Sequence, residues 1–293
     1  MNYRNIFFAS AVALTASTAA FAAPINLATL DYNGSASSVG STANLTQVNA
    51  TMTGGAVYSA NALATPTNFS TTFSFNVGAQ STGLAGNGFA FVLTTTPQSM
   101  GLSSKNLGLG GSAGGAGTTV PVSLDVQFST IANPTNNPLD SNGNHYSNLV
   151  AISTDGNLTV PQNATTAYGA PYGVAECNNL SATKSSSPGC MANGGIWSAT
   201  ISYSKGLLTV SVTDPSENGP NTVITGYAIN LASLFGSSPV FAGFSASNGA
   251  VTETTTIDSW SLSSSSVPEP ASLAMFGAGL AALGYTVRRR RAV

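Results

Sequence analysis

Side chains able to do chemistry are few in this chain, so the ones that fall together stand out. Its one histidine, His145, follows Asp140 by five residues. Asp125 lies upstream, in a run where Val122, Leu124, Val126 and Phe128 alternate with Asp125 and Gln127. Such alternation predicts a strand with one face in the core and one in water. Ser129, Asn133 and Asn136 lie in the polar loop that follows, and Leu149 to Ile152 leads out of it as a second strand-like run. Oxygen donors of this kind suit a hard cation such as calcium, and an imidazole beside carboxylates suits manganese or zinc. The same Asp and Asn residues also serve as turn formers, since their side chains bond nearby backbone.

The elements that would position this hairpin lie between two segments that are not part of a fold. Residues 1–22 carry Arg4, an apolar run from Ile6 to Leu14 and Ala20-Phe21-Ala22, the layout of a secretory signal with a small-residue cleavage site. At the far end Val267-Pro268-Glu269-Pro270 is followed by an apolar stretch, 271–287, and by Arg288 to Arg291. As a hydrophobic helix that stretch is just long enough to touch or span an inner membrane, with the arginines left in the cytoplasm. The expected division is therefore a signal peptide (1–22), a folded body (23–262), and a linker with a sorting or membrane segment (263–293).

The body has only Lys105, Lys184 and Lys205 as basic residues, against nine acids. Without a basic stripe it is no nucleic-acid binder. Cys177 and Cys190 are the two cysteines; in an oxidising compartment they are expected to pair. Zinc would need further ligands close to them in sequence.

No long amphipathic helix pattern occurs in the body. Short runs of Val, Thr, Phe, Tyr and Ile are separated by Gly, Asn and Pro, which predicts an all-β sandwich or jelly roll. Two or three strands are expected from Pro24 to Tyr58, with Asn33-Gly34 as a turn and Leu45 to Val48 extended. Phe69, Thr71, Phe73 and Phe75 share one face of a core strand. Trp197 to Tyr203 and Leu207 to Val212 form a hairpin about Ser204-Lys205-Gly206. A strand follows over Thr222 to Asn230, then one short helical turn, Leu231 to Phe235. Trp260 is expected in the core, because large aromatics on strands mostly pack.

Several of these segments resemble L-type (legume-type) lectins in order and spacing. They are Phe69-Ser-Thr-Thr-Phe-Ser-Phe75, Gly88-Phe-Ala-Phe91, Val240-Phe-Ala-Gly-Phe-Ser-Ala246 and Ser259-Trp-Ser261, together with the Asp140 to His145 interval. The resemblance implies a concanavalin-like jelly-roll sandwich of antiparallel sheets that binds sugar in a shallow cleft. It implies calcium and a transition metal such as manganese, held by Asp125, the Ser129 carbonyl, Asn133 or Asn136, Asp140 and His145. Gln127 stands where the family has an aspartate that bridges both metals. For the sugar it implies Asn87, Lys105, Asn106, Asn133 or Asn136, and the loop of Asn248, Gly249 and Ala250. Asn87 replaces a family aspartate, so one acceptor oxygen and two donors replace a carboxylate. Tyr146 is a candidate for stacking on the sugar.

The tail resembles a PEP-CTERM sorting signal. That implies handling by exosortase-type machinery, with the product at the cell envelope or outside the cell. The combined expectation is a secreted carbohydrate-binding protein acting on glycans or exopolysaccharide at a bacterial surface or in the extracellular matrix. A structural matrix protein with a degenerate sugar site is the alternative, suggested by Gln127, Asn87 and Lys105. Glycoside hydrolysis ranks below both: it needs two opposed carboxyl groups, and Gln127 and Ser129 follow Asp125 where partners would stand. No nucleophile elbow with a histidine partner is present either.

Overall fold

A computed structural model describes residues 23–47, 53–63, 68–79, 86–104, 106–110, 120–131, 147–158, 168–169, 177, 189–216, 219–249 and 253–265. The anticipated signal peptide and C-terminal hydrophobic segment lie outside them. In chain order the strands begin with β1 (Ala23–Pro24), β2 (Asp31–Gly34), β3 (Ser37–Val39), β4 (Thr42–Asn44) and β5 (Gly54–Tyr58). There follow β6 (Asn68–Ala79), β7 (Gly88–Thr94), β8 (Ser123–Ser129), β9 (Leu149–Thr154) and β10 (Tyr168–Gly169). The last are β11 (Asn193–Ser204), β12 (Leu207–Thr213), β13 (Asn221–Ala228), β14 (Phe241–Ser247) and β15 (Glu253–Ser265). The one described α-helix, α1 (Leu231–Phe235), is capped by the Asn230 side chain, which accepts from Ser233 N–H.

Two antiparallel sheets face each other. The back sheet runs β13-β12-β11-β6-β15-β4-β3, with β1 also paired to β15; the front sheet runs β10-β9-β8-β7-β14-β5-β2. Phe69, Phe73 and Phe75 enter the space between them from β6, and Phe89, Phe91, Phe128 and Phe244 enter from the front. Phe73 sits edge-on to Phe244 at 4.8 Å and to Phe128 at 5.6 Å, so the two layers interlock through one aromatic cluster. Each of these rings stabilises the fold by roughly 1.5–3 kcal/mol through burial alone. Trp260 also lies in this core, its Nε1 donating to Thr71 Oγ1 at 2.8 Å, as its position on a strand predicted.

The outer face of the back sheet carries three rows of hydroxyls in register. They are Thr213-Ser198-Ser74-Ser259, Ser211-Thr200-Thr72-Ser261 and Thr209-Ser202-Ser70-Ser263, each crossing β12, β11, β6 and β15. Two neighbouring pairs bond through their hydroxyls, Ser74 with Ser259 at 2.6 Å and Thr72 with Thr200 at 3.1 Å.

Three expectations change. The strand of Leu124 to Phe128 has no wet face: every residue of β8 is buried. On that side of the sheet the chain between β7 and β8, with Leu158, packs over β5 and β7. Met100, Leu107, Leu109, Val120 and Leu158 cluster with Ala56, Ala90 and Val92 on the front sheet's other side. Asn33 and Gly34 end β2, opposite Ala56 and Gly55 of β5, and also open the expected turn, with Asn33 O accepting from Ala36 N–H at 3.2 Å and Gly34 at φ +62°. Residues Pro24 to Tyr58 hold more strands than expected, and Leu45 follows β4 rather than lying in a strand. Of these short strands β1, β2 and β4 are set by pairing to β15 or β5, farther along the chain, which local turn chemistry does not report.

Candidate functional site

The candidate site grows from the turn that opens β7. Asn87 precedes Gly88 there, and its Nδ2 donates to Ser247 Oγ at 3.0 Å, at the end of β14. The chain leaves β14 through Asn248 and Gly249. Asn248 is fully buried; its Oδ1 accepts from Thr53 N–H at 2.9 Å, and its own N–H donates to Thr53 O at 3.2 Å. Gly249 has φ +58°, and a Cβ added there would lie 2.9 Å from Asn87 Oδ1. A glycine is therefore required both by the backbone and by the amide beside it. Three of the expected sugar-contacting residues, Asn87, Asn248 and Gly249, are brought together.

Asn106 begins a tight turn that lies over the same strand two residues back: a Cβ on Gly108 would meet Ser245 Oγ at 2.5 Å and Ala246 O at 2.6 Å. The Asn106 Nδ2 donates to Gly110 O at 3.1 Å, closing its own loop. So β14 carries both loops, with Ser245 and Ala246 under one and Ser247 beside the other. Lys105, Asn133, Asn136, Ala250 and the stacking candidate Tyr146 lie outside the described residues.

Beneath the Asn87 turn lies a residue that the motif reading passed over. Glu253 is fully buried, and its carboxylate accepts from Gly86 N–H at 2.6 Å and Gly88 N–H at 3.0 Å. Thr130 Oγ1 stands 3.1 Å from it and Thr255 Oγ1 3.3 Å. Burial pushes its carboxyl up to about 7, against these four hydrogen bonds, which favour the ionised form. A signal was present in the sequence: Glu253, Thr255 and Ile257 alternate onto the core-facing side of a strand, where a carboxylate needs a reason.

Of the expected cation ligands, Asp125 and Ser129 are described. Ser129 pairs with Gly88, which places its backbone at the Asn87 end of the front sheet. Asp125 is four residues back, roughly 13 Å along the strand. It is fully buried; Oδ2 accepts from Ser123 Oγ at 3.0 Å and Gly156 N–H at 3.1 Å, while Oδ1 has no partner. Burial pushes this carboxyl up to about 7. A buried carboxylate oxygen with no donor is open to a cation or to a proton. Gln127 adds no charge, and its Nε2 donates to Ser153 Oγ at 2.8 Å, leaving a neutral amide oxygen for a metal. Among the described residues no cluster of three or more His, Cys, Asp or Glu is suited to a metal. Asn133, Asn136, Asp140 and His145, the rest of the expected set, lie outside them.

Cys177 and Cys190 form a disulfide, with Cα atoms 5.4 Å apart. The bridge is fastened to the entrance of β9. Cys177 N–H donates to Ser147 Oγ at 2.7 Å, Met191 N–H to Asn148 Oδ1 at 3.0 Å, and Asn148 Nδ2 to Gly189 O at 2.7 Å. Ser147 follows His145 by two residues in the sequence.

Two antiparallel sheets joined in this order, with loops converging at one end, define a concanavalin-like jelly roll. The family model of the legume lectin domain matches residues 18–275, and the chain belongs to that family. The PEP-CTERM protein-sorting motif matches residues 266–291, which implies export. Solved structures agree on the fold. A lectin from Bauhinia forficata in complex with GalNAc superposes with a TM-score of 0.58 at 22% identity, over 82% of this chain and 93% of that one. Lectin II from Ulex europaeus gives 0.59 at 23% identity, over 81% and 93%. Peanut lectin, solved with a nine-residue peptide, gives 0.57 at 20%, over 85% and 99%. No curated protein matches the chain.

Proposed function

We propose that the chain is an exported glycan-binding protein whose sugar site is the end of the front sheet where Asn87, Asn106, Asn248 and Gly249 lie. Membership of the legume lectin family carries this reading, and the tie between Asn87 and Ser247 supports its location. Amide and backbone groups would fix sugar hydroxyls, with Lys105, Ala250 and Asn133 or Asn136 contributing from the adjoining loops. The body would be residues 23–262, freed of residues 1–22 on export. Residues 263–293 would be handled by exosortase-type machinery, with transient inner-membrane contact through 271–287. The product would act on glycans or exopolysaccharide at the envelope or in the extracellular matrix.

Calcium and a transition metal such as manganese would be held by Asp125, the Ser129 carbonyl, Asn133 or Asn136, Asp140 and His145. Such ions would supply positive charge that orders the loop. Galactose and N-acetylgalactosamine are the first sugars to try, since GalNAc accompanies the Bauhinia lectin and galactose a Ulex lectin. The reading is non-enzymatic: Asp125 and Glu253 have raised pKa values, yet both are sealed from solvent and bonded to backbone N–H groups. A glycan array run with and without EDTA tests this. Binding lost on chelation supports a metal-dependent site, and binding that survives supports one built from the amides alone.

A second reading is a matrix component that has kept the scaffold and lost the site, favoured by Gln127, whose amide is bonded to Ser153 in place of a bridging carboxylate. No binding to any arrayed glycan supports it.

A further inference from the structure

Glu253 belongs to the back sheet, yet its carboxylate ends under the front-sheet turn that displays Asn87. Oε2 takes the Gly86 N–H and stands by Thr130; Oε1 takes the Gly88 N–H and stands by Thr255. The two amides it holds are those immediately before and after Asn87. Space is closed as well: a Cβ on Gly86 would lie 2.8 Å from Glu253 Cβ and 3.1 Å from the Asn248 Cα. The strand under the carboxylate is itself pinned, since Thr46 Oγ1 donates to Glu253 O at 2.7 Å and accepts from Thr255 N–H at 2.9 Å. Thr130 ties the turn from its other side, its hydroxyl 2.9 Å from Gly86 O.

We propose that Glu253 is the positioning residue of the glycan site, its ionised carboxylate clamping Gly86 and Gly88 so that the Asn87 amide is presented to the sugar. This rests on reading the chain as a glycan-binding protein. An ionised carboxylate only accepts hydrogen bonds, and two backbone N–H donors and two hydroxyls surround this one, the Thr130 proton being shared with Gly86 O. A proton on either oxygen turns towards the Thr130 or Thr255 hydroxyl, which then accepts, and weakens that oxygen as an acceptor for the Gly86 or Gly88 N–H it holds. The groups that face it among the described residues are the N–H groups of Gly86 and Gly88 and the hydroxyls of Thr130 and Thr255. All are neutral, so Glu253 itself sets the charge beneath the turn. With its carboxyl pushed up to about 7, the clamp opens over a pH range in which the protein can be handled.

The experiment compares the processed protein with its Glu253→Gln and Thr130→Val variants on an array of immobilised mono- and oligosaccharides that includes galactose and N-acetylgalactosamine. Each is read from pH 5.5 to pH 8.5, with thermal melts and hydrogen exchange of the peptide spanning residues 86–94. For the wild type, apparent affinity should fall about tenfold or more towards pH 5.5, since only the ionised fraction is competent. Glu253→Gln should bind about tenfold more weakly at pH 8.5, lose the pH dependence and exchange faster at Gly86 and Gly88. Thr130→Val keeps the carboxylate but removes one donor, so its binding midpoint should move to higher pH by roughly half a unit to one unit. That shift is not expected of a residue that merely fills space, and it can be read even where Glu253→Gln does not fold. Unchanged affinity and pH profile in a folded Glu253→Gln, or an unmoved midpoint in Thr130→Val, overturn the assignment while leaving the glycan site intact. A wild type that binds no arrayed sugar at any pH overturns the glycan reading and the role of Glu253 with it.

Discussion

The Asn87 amide donates to the Ser247 hydroxyl at 3.0 Å, joining the turn before β7 to the last residue of β14. Gly249, two residues on, comes so close to Asn87 that a methyl group there would press on Oδ1. Gly249→Ala should therefore displace the Asn87 amide and weaken glycan binding at least about tenfold. The unfolding free energy should fall by only about 1 kcal/mol, set by the positive φ. Glycan titration beside a denaturant melt checks both halves. Equal affinity in the variant would remove Asn87 from the site.

Asp125 gives a metal-removal prediction. Its pKa is raised from 3.8 to about 7 in the folded chain, so the folded state holds a proton that the unfolded state has released. Stability from this group is present in full below pH 3.8 and is lost as pH rises towards and through 7, by about 4 kcal/mol at most. Asp125→Asn keeps the shape without the charge and should make the EDTA-treated protein more stable at pH 8. Calcium or manganese should raise the melting temperature of the wild type at pH 8 and leave Asp125→Asn unmoved. If the two proteins respond alike to the cations, Asp125 is not a ligand.

Glu253 follows the same sign, with a pKa raised from 4.5 to about 7. Between those values the unfolded chain ionises first, so stability falls with rising pH, by about 3 kcal/mol across the window. A series of urea melts from pH 4 to pH 8 should show this slope in the wild type. In Glu253→Gln the part due to this residue should be absent.

Replacing Cys177 and Cys190 by serine removes a closed loop of sequence separation 13 and should cost about 3 kcal/mol. Ser147 and Asn148 lose their anchored partners at the same time. Metal affinity should fall along with stability if the loop of Asp140 and His145 forms the centre. Calorimetric titration of calcium into reduced and oxidised protein measures it.

Trp260→Phe leaves Thr71 Oγ1 without its indole donor inside the core, at a cost of about 1–3 kcal/mol. Sugar affinity should stay unchanged, because this indole lies between the sheets. A loss of affinity in a folded variant would place it in the site instead.

The alternation of Phe69, Thr71, Phe73 and Phe75 was enough to place β6 at the centre of the sandwich, since period-two burial is a local property. The hairpin of β11 and β12, the short helix at Leu231–Phe235 and the disulfide were legible for similar reasons. What the chain did not disclose locally was the cover on the front sheet. Met100, Leu107, Leu109 and Val120 lie in a stretch rich in Gly and Ser that reads as an open loop, and only in three dimensions do they pack on Ala56, Ala90 and Val92 of the front sheet. Asn33-Gly34 was legible as a turn, which Asn33 O closes with Ala36 N–H, but its pairing with β5, three strands further on, was not. Of the candidate site, Asn87, Asn248 and Gly249 were legible through the family's pattern. Glu253 was not, because its partners at Gly86 and Gly88 lie more than 160 residues away in sequence.

The three registered rows on the back sheet give the molecule an uncharged rear wall, opposite in the sandwich to the front sheet. Thr72, Thr200 and Ser259 are exposed there, so substitutions at these positions should be tolerated while those under the Asn87 turn are not. It is the natural place to mount the protein on a surface. A lysine at Thr200, which is exposed at the middle of the middle row, offers an amine for coupling on the back sheet, away from the loops at the end of the front sheet.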